Sequence, residues 1–185
     1  FGAMYAVNYA TTILLSIVEA ITGYGMQGTA LDDMVSGSAL LPNFIFGVIV
    51  PAFGEEFIFR YMLRRKLRGS GDKIYILVSA VCFGAFHGNF NQMFYAAALG
   101  AIFAWLYVRT NKLWIPISLH FIVNLVGIVL MPLLIENIDL NAMDTDPNYL
   151  VQNMDKVWPI MAVGAGVILV IIWAIIIFAV LLKRV

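Results

Sequence analysis

Residues 39–60 read ALLPNFIFGVIVPAFGEEFIFR, a run in which the only charges are Glu55, Glu56 and Arg60. About 20 apolar residues in a helix cross a hydrocarbon core, so this stretch reads as a membrane span with two carboxylates inside it. Pro51 removes a backbone donor three residues before Gly54 and should loosen or kink the helix just ahead of those carboxylates.

Comparable apolar runs lie on both sides, at roughly 3–22, 74–90, 92–108, 113–131 and 157–182. Together they predict an all-α fold, a polytopic transmembrane bundle of about six helices. Composition agrees, with 62% hydrophobic and 12% charged residues, against about 45–50% and about 25% in soluble domains. Eleven basic and eleven acidic residues cancel, which leaves no electrostatic reason to expect a nucleic-acid partner. The lone cysteine, Cys82, excludes an intrachain disulfide and a thiol metal cluster, and its apolar surroundings read as core packing. No repeat or linker divides the chain, so residues 1–185 are taken as a single domain. The numbering begins at Phe1 and enters apolar sequence almost at once, so a segment upstream of the numbered chain is expected.

Charge placement orients the bundle. Arg60, Arg64, Arg65, Lys66, Arg68 and Lys73 follow the second span, Arg109 and Lys112 the fourth, and Lys183 and Arg184 the sixth. Asp32, Asp33, Glu136, Asp139, Asp144, Asp146 and Asp155 fall in the alternate loops. The positive-inside rule then puts both ends of the chain and the Arg60–Lys73 edge in the cytoplasm. Trp105, Tyr107, Trp114 and Trp158 fit an aromatic interface belt, and the Arg64–Arg68 run fits anionic lipid head groups.

Small residues recur every fourth position, as Ala80, Gly84 and Gly88 on the third span and Ala96, Gly100 and Ala104 on the fourth. Such ridges permit close backbone approach. The two short spans meet at Gly88-Asn89-Phe90-Asn91-Gln92, a tight hairpin whose turn is expected inside the protein. Residues 132–156 read as an exterior loop.

Ionisable groups at membrane depth are few, and each is a functional candidate. Glu56 and Arg60 are four apart and share a helix face, so an ion pair anchoring the span at the interface accounts for them. Glu55 points about 100° away and is the better active carboxylate. The only histidines, His87 and His120, both lie in apolar runs. A single such histidine is usually a satisfied core residue; two beside two glutamates match a general base, an orienting partner and an electrophilic donor. His120 and Asn124, four apart, can converge as oxyanion donors. One difficulty stands: Glu55 lies about 7 Å inside Arg60, whereas His87 lies about 20 Å from Lys73 by helical rise.

Taken in order, Glu55-Glu56-x-x-x-Arg60, Phe83-x-x-x-His87 and His120-x-x-x-Asn124 resemble the three signature motifs of the CAAX-protease and bacteriocin-processing (CPBP, or Abi) family of intramembrane proteases. The resemblance covers a motif core at 55–124 with no departure at a motif position. It implies that Glu55 activates water for attack on a peptide carbonyl and His87 helps to hold that water. His120 and Asn124 would stabilise the oxyanion, Glu56 would tune the site or contribute to catalysis directly, and Arg60 and Phe83 would be in support. The partners implied are the bilayer and a peptide or protein substrate, such as a prenylated CAAX protein or a leader peptide, entering from the membrane or the cytoplasmic side.

No cofactor is favoured. Zinc is the alternative, with His87, His120 and Glu55 as the three ligands a catalytic site takes, although the HExxH spacing of helical zinc proteases is absent. Two other functions compete. A catalytically silent scaffold would regulate a membrane-protein partner; intact motifs weigh against it. A proton-coupled carrier would want an inverted repeat and a polar path across the bilayer, and neither is visible.

Overall fold

Pro51 and Pro132 each stand at the second position of an α-helical segment that directly follows a π-helical one. The computed structural model describes residues 2–23, 40–88, 90–136, 138–166 and 169. Asp32, Asp33, Asn89, Lys183, Arg184 and most of the predicted sixth span lie outside them. Helix α1 runs Gly2–Thr22. Helix α2 is continuous over Leu40–Lys66, with π-helical stretches at Asn43–Ile49 and Phe57–Met62 on either side of the α segment Val50–Glu56. Helix α3 is Asp72–Phe86, α4 is Phe90–Thr110, and α5 is Trp114–Ile135 with a π stretch at Leu125–Leu130. Shorter helices follow at Leu140–Thr145 (α6), Tyr149–Gln152 (α7) and 154–166 (α8).

The described residues contain no strand, and α2, α4 over Gln92–Thr110 and α5 are long and apolar enough to cross a membrane. The predicted all-α bundle is therefore the observed fold. Its surface is apolar and its interior holds polar groups among apolar ones: Phe57, Ile58, Leu77, Val81 and Trp114 face outward, while Glu56, Arg60, Ser79 and His120 are buried beside Phe59, Phe83 and Phe103. That inversion suits a lipid surround, where outward hydrophobes cost nothing and inward polar groups must satisfy one another. Cys82 belongs to the outer face, so it is not the core residue expected. Its position two residues from Ala80 and Gly84 turns it away from the α3–α4 seam. The loop expected over 132–156 is largely helical, through the end of α5 and through α6 and α7.

The most extensive packing is between α3 and α4. A Cβ on Gly84 would stand 2.5 Å from the Met93 carbonyl oxygen and 2.8 Å from Ala97 Cβ, and one on Gly100 would stand 3.0 Å from Phe83 Cβ. The predicted small-residue ridges thus carry the seam, except at Gly88. That glycine has φ +69 and ends α3 in the left-handed turn that glycine tolerates best. The turn itself is not enclosed, because Phe86, Gly88 and Phe90 are exposed. Gly84→Ala should lower stability in detergent by about 1–3 kcal/mol through overpacking. Gly127→Ala, where no atom lies within 4 Å, should be neutral or stabilising by up to about 1 kcal/mol. Equal melting temperatures for both variants would contradict the seam.

The depth difficulty is resolved by the length of α2. Arg60 is fully buried, and the helix continues to Lys66 before the Leu67–Gly71 turn. Counted from the helix ends, Glu55 lies about 16 Å from Lys66 and His87 about 22 Å from Asp72, roughly one helical turn apart. The basic edge consequently begins at Arg64, and Arg60 is not an interfacial anchor. Tyr107 likewise leaves the expected aromatic belt: it is buried, while Trp105, Trp114 and Trp158 remain exposed.

Candidate active site

A π-helical stretch is joined by i→i−5 hydrogen bonds, and where it returns to the i→i−4 register one carbonyl is passed over. At the end of the second π stretch of α2, the Leu63 amide bonds to Ile58 O. The next α-type bond, from Arg64, reaches Arg60, so Phe59 O is left over. Two side chains of α3 cover it: Tyr75 Oη at 3.2 Å and Ser79 Oγ at 3.3 Å both donate to it. The first π stretch ends with Val50 bonded to Ile45 O, and Pro51 then has no N–H to give to Gly47. Asn124 Nδ2 on α5 donates to Gly47 O at 3.0 Å. Irregular backbone in α2 is thus satisfied by neighbouring helices, as membrane burial demands.

These ties hold a buried polar cluster. Glu56 and Arg60 are both fully buried, with Arg60 Nε 2.7 Å from Glu56 Oε2 and Arg60 Nη2 donating to Oε1 at 3.1 Å. The Nε contact is close but off the hydrogen-bond line, so the pairing there is chiefly ionic. Arg60 Nη1 donates to Ser79 Oγ at 2.7 Å, and the guanidinium lies 4.7 Å from the Phe83 ring and 5.6 Å from the Phe103 ring. A guanidinium so enclosed by a carboxylate, a hydroxyl and two aromatic faces can leave the interface.

His120 is also buried, its Nδ1 3.0 Å from Glu56 Oε1. A carboxylate held against Arg60 can only accept, so Nδ1 carries the proton and Nε2 is left for other work. His87 Nδ1 lies 2.8 Å from Phe83 O, and a carbonyl acceptor fixes that ring in the same way. Phe83 packs edge-on against both imidazoles, at 5.1 Å from His87 and 5.7 Å from His120.

Glu55 differs from its neighbour. It is half-buried, and its ionisable neighbours are His120, His87, Glu56 and Arg60. Its Oε2 is buried yet accepts no hydrogen bond from any described residue. Buried carboxylate oxygens are normally satisfied, so one that is not calls for a reason. The structure therefore brings Glu55, Glu56, Arg60, Phe83, His87 and His120 into one cluster. Asn124 sits one helical turn beyond His120 and contacts a different part of α2. One N–H of its amide goes to Gly47 O, and the second remains for a ligand. As placed, no three His, Cys, Asp or Glu side chains among the described residues form a metal-ligand set. The trio His87, His120 and Glu55 does not fit zinc in this arrangement.

Three members were not anticipated from the sequence: Tyr75, Ser79 and Phe103. The first two had a signal, because Tyr75, Ser79, Phe83 and His87 repeat every fourth residue and share one face of α3. Phe103 had none, since it is one aromatic residue among many apolar ones.

Comparison with known proteins adds independent support. Residues 37–126 match the family described as "Type II CAAX prenyl endopeptidase Rce1-like". The chain is 31% identical over 113 residues to "Putative membrane peptidase YdiL" of Bacillus subtilis (strain 168), an alignment covering 59% of this chain and 46% of that protein. It thus spans about half the length of that curated relative. No solved structure matches the chain. All three motifs fall inside the matched segment, where the chain resembles the type II CAAX prenyl endopeptidase family, and apart from Asn124 their side chains gather into one cluster between membrane helices.

Proposed function

We propose that the chain is an intramembrane endopeptidase that hydrolyses a peptide bond of a membrane-associated substrate, with Glu55 as the base that activates water. The observation that carries this reading is the division between adjacent carboxylates: Glu56 is engaged by Arg60 and His120, whereas Glu55 keeps a buried oxygen that no described residue engages. Water held at Glu55 Oε2 gives that carboxylate a proton as its oxygen attacks the carbonyl carbon, while the second O–H stays on the attacking oxygen and donates a hydrogen bond to His87 Nε2. The tetrahedral oxyanion takes one hydrogen bond from the free N–H of Asn124 and one from His120 Nε2–H. That second donor requires the imidazolium, whose charge Glu56 is placed to balance. Glu55 then returns its proton to the leaving amine as the C–N bond breaks.

No step in this scheme uses a metal, so activity should survive exhaustive chelation. The site is read as opening toward the cytoplasm, just inside the basic edge that starts at Arg64. A prenylated CAAX-type protein is the substrate class that the family description suggests, and a leader peptide is the alternative that the motif resemblance implies. The test is comparative peptidomics of membranes carrying the native chain or Glu55→Ala, each with and without chelator. Products present only with the native chain, and unchanged by chelator, are expected. Identical peptidomes would remove the peptidase assignment, and products lost on chelation would remove the metal-free mechanism.

A further inference from the structure

A cleft lies away from the motif cluster, at the end of α2 where it meets α3 and α4. It has a volume of about 720 Å³, and its walls include Tyr61, Arg64, Arg65, Arg68, Tyr75 and Tyr107. Three guanidiniums against one carboxylate, Asp72, leave a surplus of two positive charges (3 − 1 = 2). Gly69 and Gly71, with φ +107 and +86, form its turn and put no side chain into the opening.

The arginines are positioned differently. Arg64 is part of the framework: its Nη1 donates to Tyr107 O at 3.2 Å, and its guanidinium lies 5.2 Å from the Tyr107 ring and 5.9 Å from the Tyr75 ring. Its contact with Asp72 is long, 3.7 Å, and Asp72 is mostly exposed. Arg65 donates to Tyr61 Oη at 2.7 Å and stands 5.4 Å from that ring, while Arg68 is exposed. One face of α2 therefore grades from apolar to charged in steps of four residues. Phe57, which is exposed, stacks on Tyr61 at 5.2 Å, and Tyr61 in turn supports Arg65 at the mouth of the cleft. Ile58 and Met62 are exposed beside that ladder. An acyl chain against Phe57, Ile58 and Met62 and a phosphate among the arginines would match a single amphiphile.

We infer that this cleft is a binding site for one anionic phospholipid, its phosphate held by Arg65 and Arg68 over the Arg64 framework and its acyl chain lying along the Phe57–Tyr61 face of α2. Free phosphate offers the same charge but leaves that apolar face unused. Tyr75, which lines the cleft, also donates to Phe59 O, one residue from Arg60. The lipid would thus sit one side chain away from the buried cluster, although its binding does not depend on peptidase chemistry.

The test is native mass spectrometry of the full chain released from nanodiscs containing equal amounts of phosphatidylglycerol and phosphatidylcholine. The native chain should retain one phosphatidylglycerol. Arg65→Gln with Arg68→Gln should weaken that retention by roughly 30-fold, given the contribution of each basic residue at a membrane surface. Lys156→Gln, which removes a charge outside the cleft, should retain the lipid as the native chain does. A melting curve in neutral detergent confirms that the double variant is folded, and millimolar inorganic phosphate should not displace the lipid. Equal retention of the two lipids, unchanged retention in a folded double variant, or full displacement by inorganic phosphate would each overturn the proposal.

Discussion

Glu55→Gln is expected to lower turnover by about 10²–10⁴-fold, the span of a lost general base, while the melting temperature stays level or rises. The amide keeps the shape of the carboxylate but cannot take a proton from water. Stability should not suffer, because Glu55 Oε2 accepts no hydrogen bond from any described residue and a neutral amide is easier to bury than a charge. The measurement is initial rate on a cleavable membrane peptide beside thermal unfolding in the same detergent. A fully active Glu55→Gln protein would end its assignment as base. If every motif variant stayed fully active, the chain would be better read as a scaffold.

The opposite profile is expected one residue along. Glu56→Gln leaves Arg60 buried without a counter-ion, and breaking such a pair typically costs about 3–5 kcal/mol. Arg60→Met exposes the same weakness from the other side. The double variant Glu56→Gln with Arg60→Met removes both charges and fills the space between Phe83 and Phe103, so it should recover most of that stability. Activity should not return with it, because His120 then has no carboxylate at Nδ1. Unfolding free energies of the two single variants and the double variant close the cycle. Single variants as stable as the native chain would show the pair to be dispensable, and an active, stable double variant would remove Glu56 from the function of His120.

How far the sequence could be read depended on range. The Glu56–Arg60 pair and the small-residue ridges of α3 and α4 are local periodicities, and they appear in the structure as spacing predicts. Arg60 was placed at the membrane edge because it precedes a basic run, and charge counting cannot distinguish an interfacial arginine from one with a buried partner. Its enclosure depends on Ser79 and Phe103, which reach it from two other helices. The bond from Asn124 to Gly47 joins positions 77 apart, and although Pro51 signals that a carbonyl one turn earlier lacks its donor, local sequence does not say which distant side chain supplies one. Cys82 and Tyr107 exchanged their expected surroundings because an apolar run does not say which of its faces meets lipid.

The π-helical stretches of α2 make the spacing of its side chains a matter of phase as well as of identity. A wider helix advances through a smaller angle per residue, so Asn43–Ile49 and Phe57–Met62 together set the azimuth at which Asn43, the glutamates and Arg64 emerge. Removing Met62 would leave every motif letter in place yet swing Arg64 and the rest of the helix end about its axis, uncoupling the membrane-edge cleft from Glu55 and Glu56.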